Sequence, residues 1–146
     1  MQRIPTAVTV VTADGPEGPA GLTANAVVSL SLAPPLMLAC IDRGSRTLRA
    51  VEAAGRFGIS VLGRGDEDVA RAFATKAPLE EKWAGVAWTR CAGIPVLEDA
   101  IVRVACELEN VVAGGDHMIV TGAVLDVAAS EGEPLVFFEG GYRPLG

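Results

Sequence analysis

A single histidine, His117, and three cysteines, Cys40, Cys91 and Cys106, are all the imidazole and thiol ligands that 146 residues offer a metal. One imidazole cannot build a two-histidine zinc site, and an odd set of cysteines without C-x-x-C spacing excludes zinc ribbons and a disulfide framework. No metal is expected, and the cysteine usage suits a reducing cytoplasm. A hydrolytic triad would need His117 beside a serine in a G-x-S-x-G elbow, which is absent. The Walker pattern is missing too, and Gly63-Arg64-Gly65 lacks both the third glycine and the βαβ setting of a dinucleotide fingerprint.

Positive charge is also scarce. The formal net charge is −6 and the isoelectric point about 4.7, which argues against a nucleic-acid binder or a protein docked on anionic membrane, since both need a basic face. Any phosphate must be held locally. The opening apolar run, Ala7 to Ala13, is too short for a signal-peptide core or a membrane span, so a soluble, unprocessed chain is expected. No repeat, low-complexity tract or linker interrupts the sequence, which predicts a single domain over residues 1–146.

What is present reads mostly as strand and turn. Glycine at 17 and proline at 9 supply many tight turns. Ala7 to Ala13 is rich in β-branched residues and ends at Asp14-Gly15-Pro16, followed by Gly18-Pro19 and Gly21, a strand–turn–strand pattern. An extended reading continues from Leu22 to Leu32, is interrupted at Pro34-Pro35, and resumes as a buried strand from Leu36 to Ile41.

Ser45 stands at an N-cap position, with Leu48 and Val51 on one helical face and Gly55 at the stop, which predicts a helix over Arg46 to Ala54. Phe57 to Leu62 returns to strand. Asp66-Glu67-Asp68 opens a second helix through Val69, Ala70 and Phe73 that frays into Lys76 to Lys82.

Val102, Val104, Cys106 and Leu108 alternate with Arg103, Ala105, Glu107 and Glu109, which predicts a strand with one face in the core and one largely wet. Another strand is predicted from Met118 to Val127, and Pro134 to Phe138 is a last apolar segment before Gly141-Tyr142-Arg143. Short connections favour antiparallel pairing, and closure into a barrel removes exposed edges. The helices that split the strand run point to a Greek-key connection. The expected fold is therefore mostly β: an antiparallel Greek-key split barrel with two or three short helices.

The segment from Gly21 to Thr47 carries the chemistry. Thr23-Ala24-Asn25-Ala26 and Ser29 bring small and polar groups into a sheet, where backbone N–H and C=O can approach a flat heteroaromatic ligand closely. Asp42-Arg43-Gly44-Ser45-Arg46-Thr47 offers a glycine turn, two hydroxyls and two arginines at a helix N-terminus, an arrangement that holds phosphate inside an acidic protein. Ser45 reads equally well as a plain N-cap, and His117, after Gly114-Gly115-Asp116, as a turn residue.

Taken together these residues resemble the small flavin reductases that serve as reductase components of two-component flavin-dependent monooxygenases. The likeness runs from Pro5-Thr6-Ala7-Val8-Thr9-Val10-Val11-Thr12 through Gly21-Leu22-Thr23-Ala24-Asn25-Ala26, Ser29 to Leu36, and Asp42 with Ser45 and Thr47. It continues through Phe57 to Leu62, Ala72-Phe73-Ala74, Gly115-Asp116-His117, Pro134 to Phe138 and Gly141-Tyr142-Arg143. The family's chains begin with a helical stretch before the first strand, whereas this one begins almost at the strand and is expected to be trimmed.

The resemblance implies a homodimer of split barrels that uses FAD or FMN, takes hydride from NADH or NADPH, and supplies reduced flavin to a monooxygenase. It places Thr23, Ala24, Asn25, Ala26 and Ser29 along the ring system and ribityl chain. Cys40, Ile41 and Asp42 fall on the adjoining strand, Ser45 and Thr47 at phosphate, and Phe73 and Ala74 at the closing side. His117, Tyr142 and Arg143 fall where the nicotinamide nucleotide is met, with His117 as the catalytic position. Trp83 and Trp88 are expected to be packing or interface residues and not cofactor stackers, and Cys40 a buried small hydrophobe and not a redox thiol. The rival readings are a flavin carrier and a pyridoxamine-phosphate-oxidase-like barrel without NAD(P)H chemistry.

Overall fold

The computed structural model describes all of residues 1–146. Its main body is a seven-stranded antiparallel sheet built from β2 (Thr9–Gly15), β3 (Gly18–Ala24), β4 (Val27–Leu32), β5 (Pro35–Asp42), β6 (Arg56–Val61), β9 (Val102–Gly114) and β10 (His117–Ala129). Their order is β3-β2-β6-β9-β10-β5-β4. Strands β3 and β4 are consecutive in the chain yet occupy opposite ends of this order, so the sheet curls round and remains split where Asn25 and Ala26 join them. The crossover from β5 through α1 (Arg46–Ala54) to β6 skips two strands, as in a Greek key.

A smaller sheet pairs β1 (Thr6–Ala7), β11 (Leu135–Phe138) and β12 (Gly141–Pro144), and a hairpin pairs β7 (Trp88–Cys91) with β8 (Ile94–Leu97). Helices α2 (Glu67–Phe73) and α3 (Leu79–Trp83) complete the chain. No helix is long and apolar enough to cross a membrane.

The predicted elements appear with four differences. First, the extended reading from Leu22 to Leu32 breaks at Asn25-Ala26, because the chain must leave one end of the sheet and re-enter at the other. Second, the segment after α2 does not fray: Leu79 and Trp83, four residues apart, turn one face inward, and Glu80 and Glu81 suit the positive first turn of α3. Third, the β7–β8 hairpin was not anticipated; its tip holds Ala92 at φ 49° and Gly93 at φ 81°. Fourth, Val104, Ala105 and Cys106 are all buried, because both faces of β9 are covered here: Val104 and Cys106 face the main core, and Ala105 on the other face packs with Cys91, Ile94 and Val96 of the β7–β8 hairpin.

Helix α1 forms as its caps dictate: Ser45 Oγ accepts from Leu48 N–H at 3.1 Å, and Gly55 ends it in the left-handed region at φ 68°. The largest core cluster lies inside the curled sheet, with Phe57, Ile41, Ile59 and Val120 fully buried under Leu48 and Val51 of α1. A second cluster, including Val8, Leu62, Phe73 and Leu135, ties the small sheet to α2. Burial pushes the Cys106 thiol up to about 12, so it is a packed apolar group and no nucleophile.

Candidate functional site

The split between β3 and β5 opens into a cavity of about 530 Å³ walled by β3, the Asn25–Ala26 link, β5, the N-terminal turn of α1, the α2–α3 segment and the start of β10. That size suits a ligand of several fused rings with a polar tail. The predicted residues Thr23, Ala24, Asn25, Ala26, Cys40, Asp42, Ser45, Thr47, Phe73, Ala74 and His117 all line it.

Four predicted residues do not line it. Ser29 is exposed on β4, opposite Met37. Ile41 points away, fully buried in the main core, as alternation along β5 between Cys40 and Asp42 requires. Tyr142 packs on Phe137 with ring centroids 5.4 Å apart and receives the Arg71 guanidinium on its face at 5.6 Å. Arg143 is exposed beside Glu139 and Phe138.

One end of the cavity is a backbone edge. Ala26 C=O accepts from Cys40 N–H at 2.9 Å, while the N–H groups of Asn25 and Ala26 donate to no group of the chain. Asn25 Oδ1 is buried and has no partner. Orphaned polar groups in a cavity wall mark where a ligand completes the hydrogen bonding. The Thr23 hydroxyl, by contrast, is spent on Ala70 C=O at 2.6 Å and pins α2 to β3.

The other end is cationic. Asp42 shapes the turn into α1, its carboxylate accepting from Gly44 N–H at 2.8 Å and its carbonyl from Ser45 N–H at 3.1 Å. Beyond it, Arg46 donates to Ala77 C=O, and Lys82 Nζ donates to Gly21 C=O at 3.1 Å and Phe73 C=O at 3.4 Å. Burial and the neighbouring Arg46 charge hold the Lys82 ammonium below its usual range. With Lys76 also in the wall, this region is positive in a chain of net charge −6.

His117 opens β10 directly across from Asp42 on β5. It is therefore strand-anchored and not a turn residue. Its Nδ1 lies 2.7 Å from Asp116 Oδ1, an arrangement that lowers the Asp116 carboxyl below its ordinary range and leaves Nε2 free.

Sequence reasoning missed Lys76 and Lys82 as wall residues. The available signal was Pro78 followed by two glutamates and the Leu79/Trp83 spacing, which together open a helix and fix which way Lys82 turns.

A flavin fits this geometry. Small residues and free N–H groups line one end for a planar ring edge, and three cations with the α1 N-terminus face the other for phosphate. Comparisons with known proteins agree. The profile of the family described as flavin reductase like domain matches residues 1–146. FMN reductase (NADH) RutF 1 of Methylorubrum extorquens (strain PA1) is 42% identical over 147 aligned positions, covering 99% of this chain and 73% of the relative.

The Streptomyces globisporus NADH:FAD oxidoreductase SgcE6, solved in complex with NAD and FAD fragments, superimposes with a TM-score of 0.92. It is 33% identical, over 99% of this chain and 88% of that one. The styrene monooxygenase flavin reductase SMOB of Pseudomonas putida S12 gives 0.90 at 29% identity, over 99% and 94% of the two chains.

Proposed function

The chain belongs to the flavin reductase-like family, whose profile spans all 146 residues, and from that premise we propose that this cavity holds the flavin of an NADH-dependent flavin reductase. The observation that carries the reading is the orphaned edge at Asn25 and Ala26 facing a cationic pole across one cavity. Bound flavin supplies the two-electron acceptor and NADH the hydride, so the protein has no bond-making nucleophile to provide. The residues act by placement. Free N–H groups at Asn25 and Ala26 stabilise negative charge at the ring edge, while Ser45, Thr47 and the N-terminus of α1 take phosphate.

His117 positions the nicotinamide: its Nδ1 is hydrogen-bonded to Asp116, which holds the ring and leaves Nε2 to meet the carboxamide at the cavity mouth. Tyr142 and Arg143 stand apart from the cavity wall and would meet the outer part of the dinucleotide. No basic cluster is devoted to a 2′-phosphate, which favours NADH over NADPH; either FMN or FAD suits the phosphate pole.

Mixing protein and flavin anaerobically with NADH in a stopped-flow instrument is expected to bleach the flavin absorbance at about 450 nm rapidly, as the stacked rings are held in position. Binding without bleaching would leave a flavin carrier. His117→Ala is expected to raise KM for NADH about tenfold, the worth of one good hydrogen bond, with flavin Kd within about twofold. Equal losses in both would remove His117 from the nicotinamide.

We further propose that all 146 residues act as one domain that pairs into a homodimer, in the cytoplasm that three free cysteines suit. Edge strand β4 exposes Val28, Leu30 and Leu32 at 54, 46 and 87%, and Val112, Leu125 and Val127 on β9 and β10 are exposed as well. An apolar edge strand of this kind calls for a cover, and a second copy supplies one. Sedimentation velocity at micromolar concentration is expected to show a dimer; a sole monomer peak would overturn this. The reduced flavin then passes to a monooxygenase partner.

A further inference from the structure

Asp42 is the one carboxylate among the residues that line the cavity, whose lysines and arginine, Arg46, Lys76 and Lys82, are cationic. A wall that takes an anionic ligand gains nothing from an anion of its own. Part of the role of Asp42 is local: its Oδ1 accepts from Gly44 N–H at 2.8 Å and shapes the turn into α1. An asparagine oxygen would do that equally well. Asp42 forms no ion pair within the chain, so its charge is left for what enters the cavity.

The sheet decides what that charge can meet. Asp42 on β5 and His117 on β10 are direct cross-strand partners, so their side chains share one face, and both line the cavity. The nicotinamide proposed to meet His117 therefore lies beside the Asp42 carboxylate. In hydride transfer the C4–H bond of the nicotinamide breaks, an N5–H bond forms on the flavin, and two electrons pass with the hydrogen. The nicotinamide ring gains one positive charge and the flavin one negative charge.

Building on the flavin reductase reading above, we propose that Asp42 is a catalytic residue whose carboxylate faces the nicotinamide ring and stabilises the positive charge that develops on it. The free N–H groups of Asn25 and Ala26 take the opposite charge at the flavin edge, so the site is polarised along the path of the electrons. The neutral ring of NADH gains little from the carboxylate, while the transition state and NAD⁺ gain more. That difference is what raises a rate.

Asp42→Asn keeps the oxygen that accepts from Gly44 N–H and removes the charge. In anaerobic stopped-flow with FMN-loaded protein, hydride transfer at saturating NADH is expected to slow about tenfold. This is below the usual loss for one preorganised electrostatic group, because Asp42 is exposed in the ligand-free chain. Kd for NADH and for FMN is expected to stay within about twofold, with NAD⁺ bound about tenfold more weakly because its ring carries the full charge. Asp42→Glu restores the charge and is expected to recover part of the rate. Asp68→Asn removes an equal charge from a fully exposed position on α2 and is expected to leave the rate within about 1.5-fold. A rate that fell only in step with FMN affinity would mean that Asp42 just shapes the turn, and an unchanged rate would also overturn the proposal.

A comparison on wild type covers the case in which Asp42→Asn does not fold. 1-Methylnicotinamide and nicotinamide share the ring and carboxamide and differ in ring charge. With FMN-loaded wild type the cation is expected to bind at least fivefold more tightly by saturation-transfer NMR, an advantage that shrinks at about 1 M salt. Equal affinities, or no detectable binding of the cation, overturn the role of Asp42. Wild type that fails to bind FMN would remove the flavin reading and the proposal with it, whereas wild type reduced by NADH no faster than Asp42→Asn would remove Asp42 alone.

Discussion

Gly122→Val is expected to destabilise the protein by about 3 kcal/mol or more, the upper part of the range for overpacking a filled core. Gly122 sits near the middle of β10, between Leu108 of β9 and Met37 of β5. A Cβ there would lie 2.6 Å from Phe57 Cζ and 2.7 Å from Cys106 Cβ. Phe57 is fully buried and Cys106 is too, so neither can swing into solvent to make room. The backbone would have to move in the strand that also carries His117.

Urea unfolding should show a lowered midpoint with an unchanged slope, and thermal melting a loss of about 6 to 12 °C for a chain of this length. Gly141→Ala is the control: its nearest contact would be Phe138 O at 3.9 Å, and its φ is not positive, so a change within about 0.5 kcal/mol is expected. Adding Phe57→Leu to Gly122→Val should recover part of the loss, because the clash is with that ring. No recovery, or a single variant as stable as wild type, would mean the core at this point is loose.

Phe73→Ala is the second large effect. The ring is fully buried, meets Trp83 edge-on at 5.0 Å between centroids, and lies so close to β3 that a Cβ at Gly21 would stand 2.8 Å from Phe73 Cε1. Removing it is expected to cost about 3–5 kcal/mol in the ligand-free protein, from lost transfer energy and an unfilled cavity. It also dismantles a wall of the cavity proposed to hold flavin, since Phe73 is at once a core residue and a lining residue.

Two measurements separate these roles. Melting without ligand reads the packing loss. The further rise in Tm on adding FMN reads binding, by mass action on the folded state, and is expected to shrink with a Kd at least tenfold weaker. Phe73→Leu keeps most of the volume and should recover stability to within about 1.5 kcal/mol of wild type. If Phe73→Ala melted lower yet kept its full FMN shift, the ring would be core alone.

Much of this was legible in the sequence because it is governed by neighbours. Ser45, Leu48, Val51 and Gly55 define α1 by caps and period, and the helix runs over the expected residues, Arg46 to Ala54. The turn at Asp14-Gly15 and the β-branched run before it define the first hairpin of the main sheet in the same way. The small-residue stretch Thr23 to Ala26 and the hydroxyl-rich turn at Ser45 to Thr47 stood out as a binding segment, and both line one cavity.

What local pattern could not supply was pairing at a distance. Ile41 and Cys40 read alike in a buried run, and only the sense of β5 in the sheet turns one inward to the core and the other to the cavity. Lys82 reads as a solvated helix charge, as most lysines are. Its burial follows from α3 packing on β3, a contact between residues 61 apart in the chain. His117 follows Asp116 in any reading of the sequence, yet its placement across from Asp42 is set by the β5–β10 register.

The sequence alone therefore determined most of the strands, the α1 helix and which segment carries small and hydroxyl-bearing residues, because turn residues, caps and hydrophobic period act within a few residues. The tertiary structure decided which side chains share the cavity and which cations are left without a counter-charge. Strand register and helix docking set those outcomes through contacts between segments far apart in the chain.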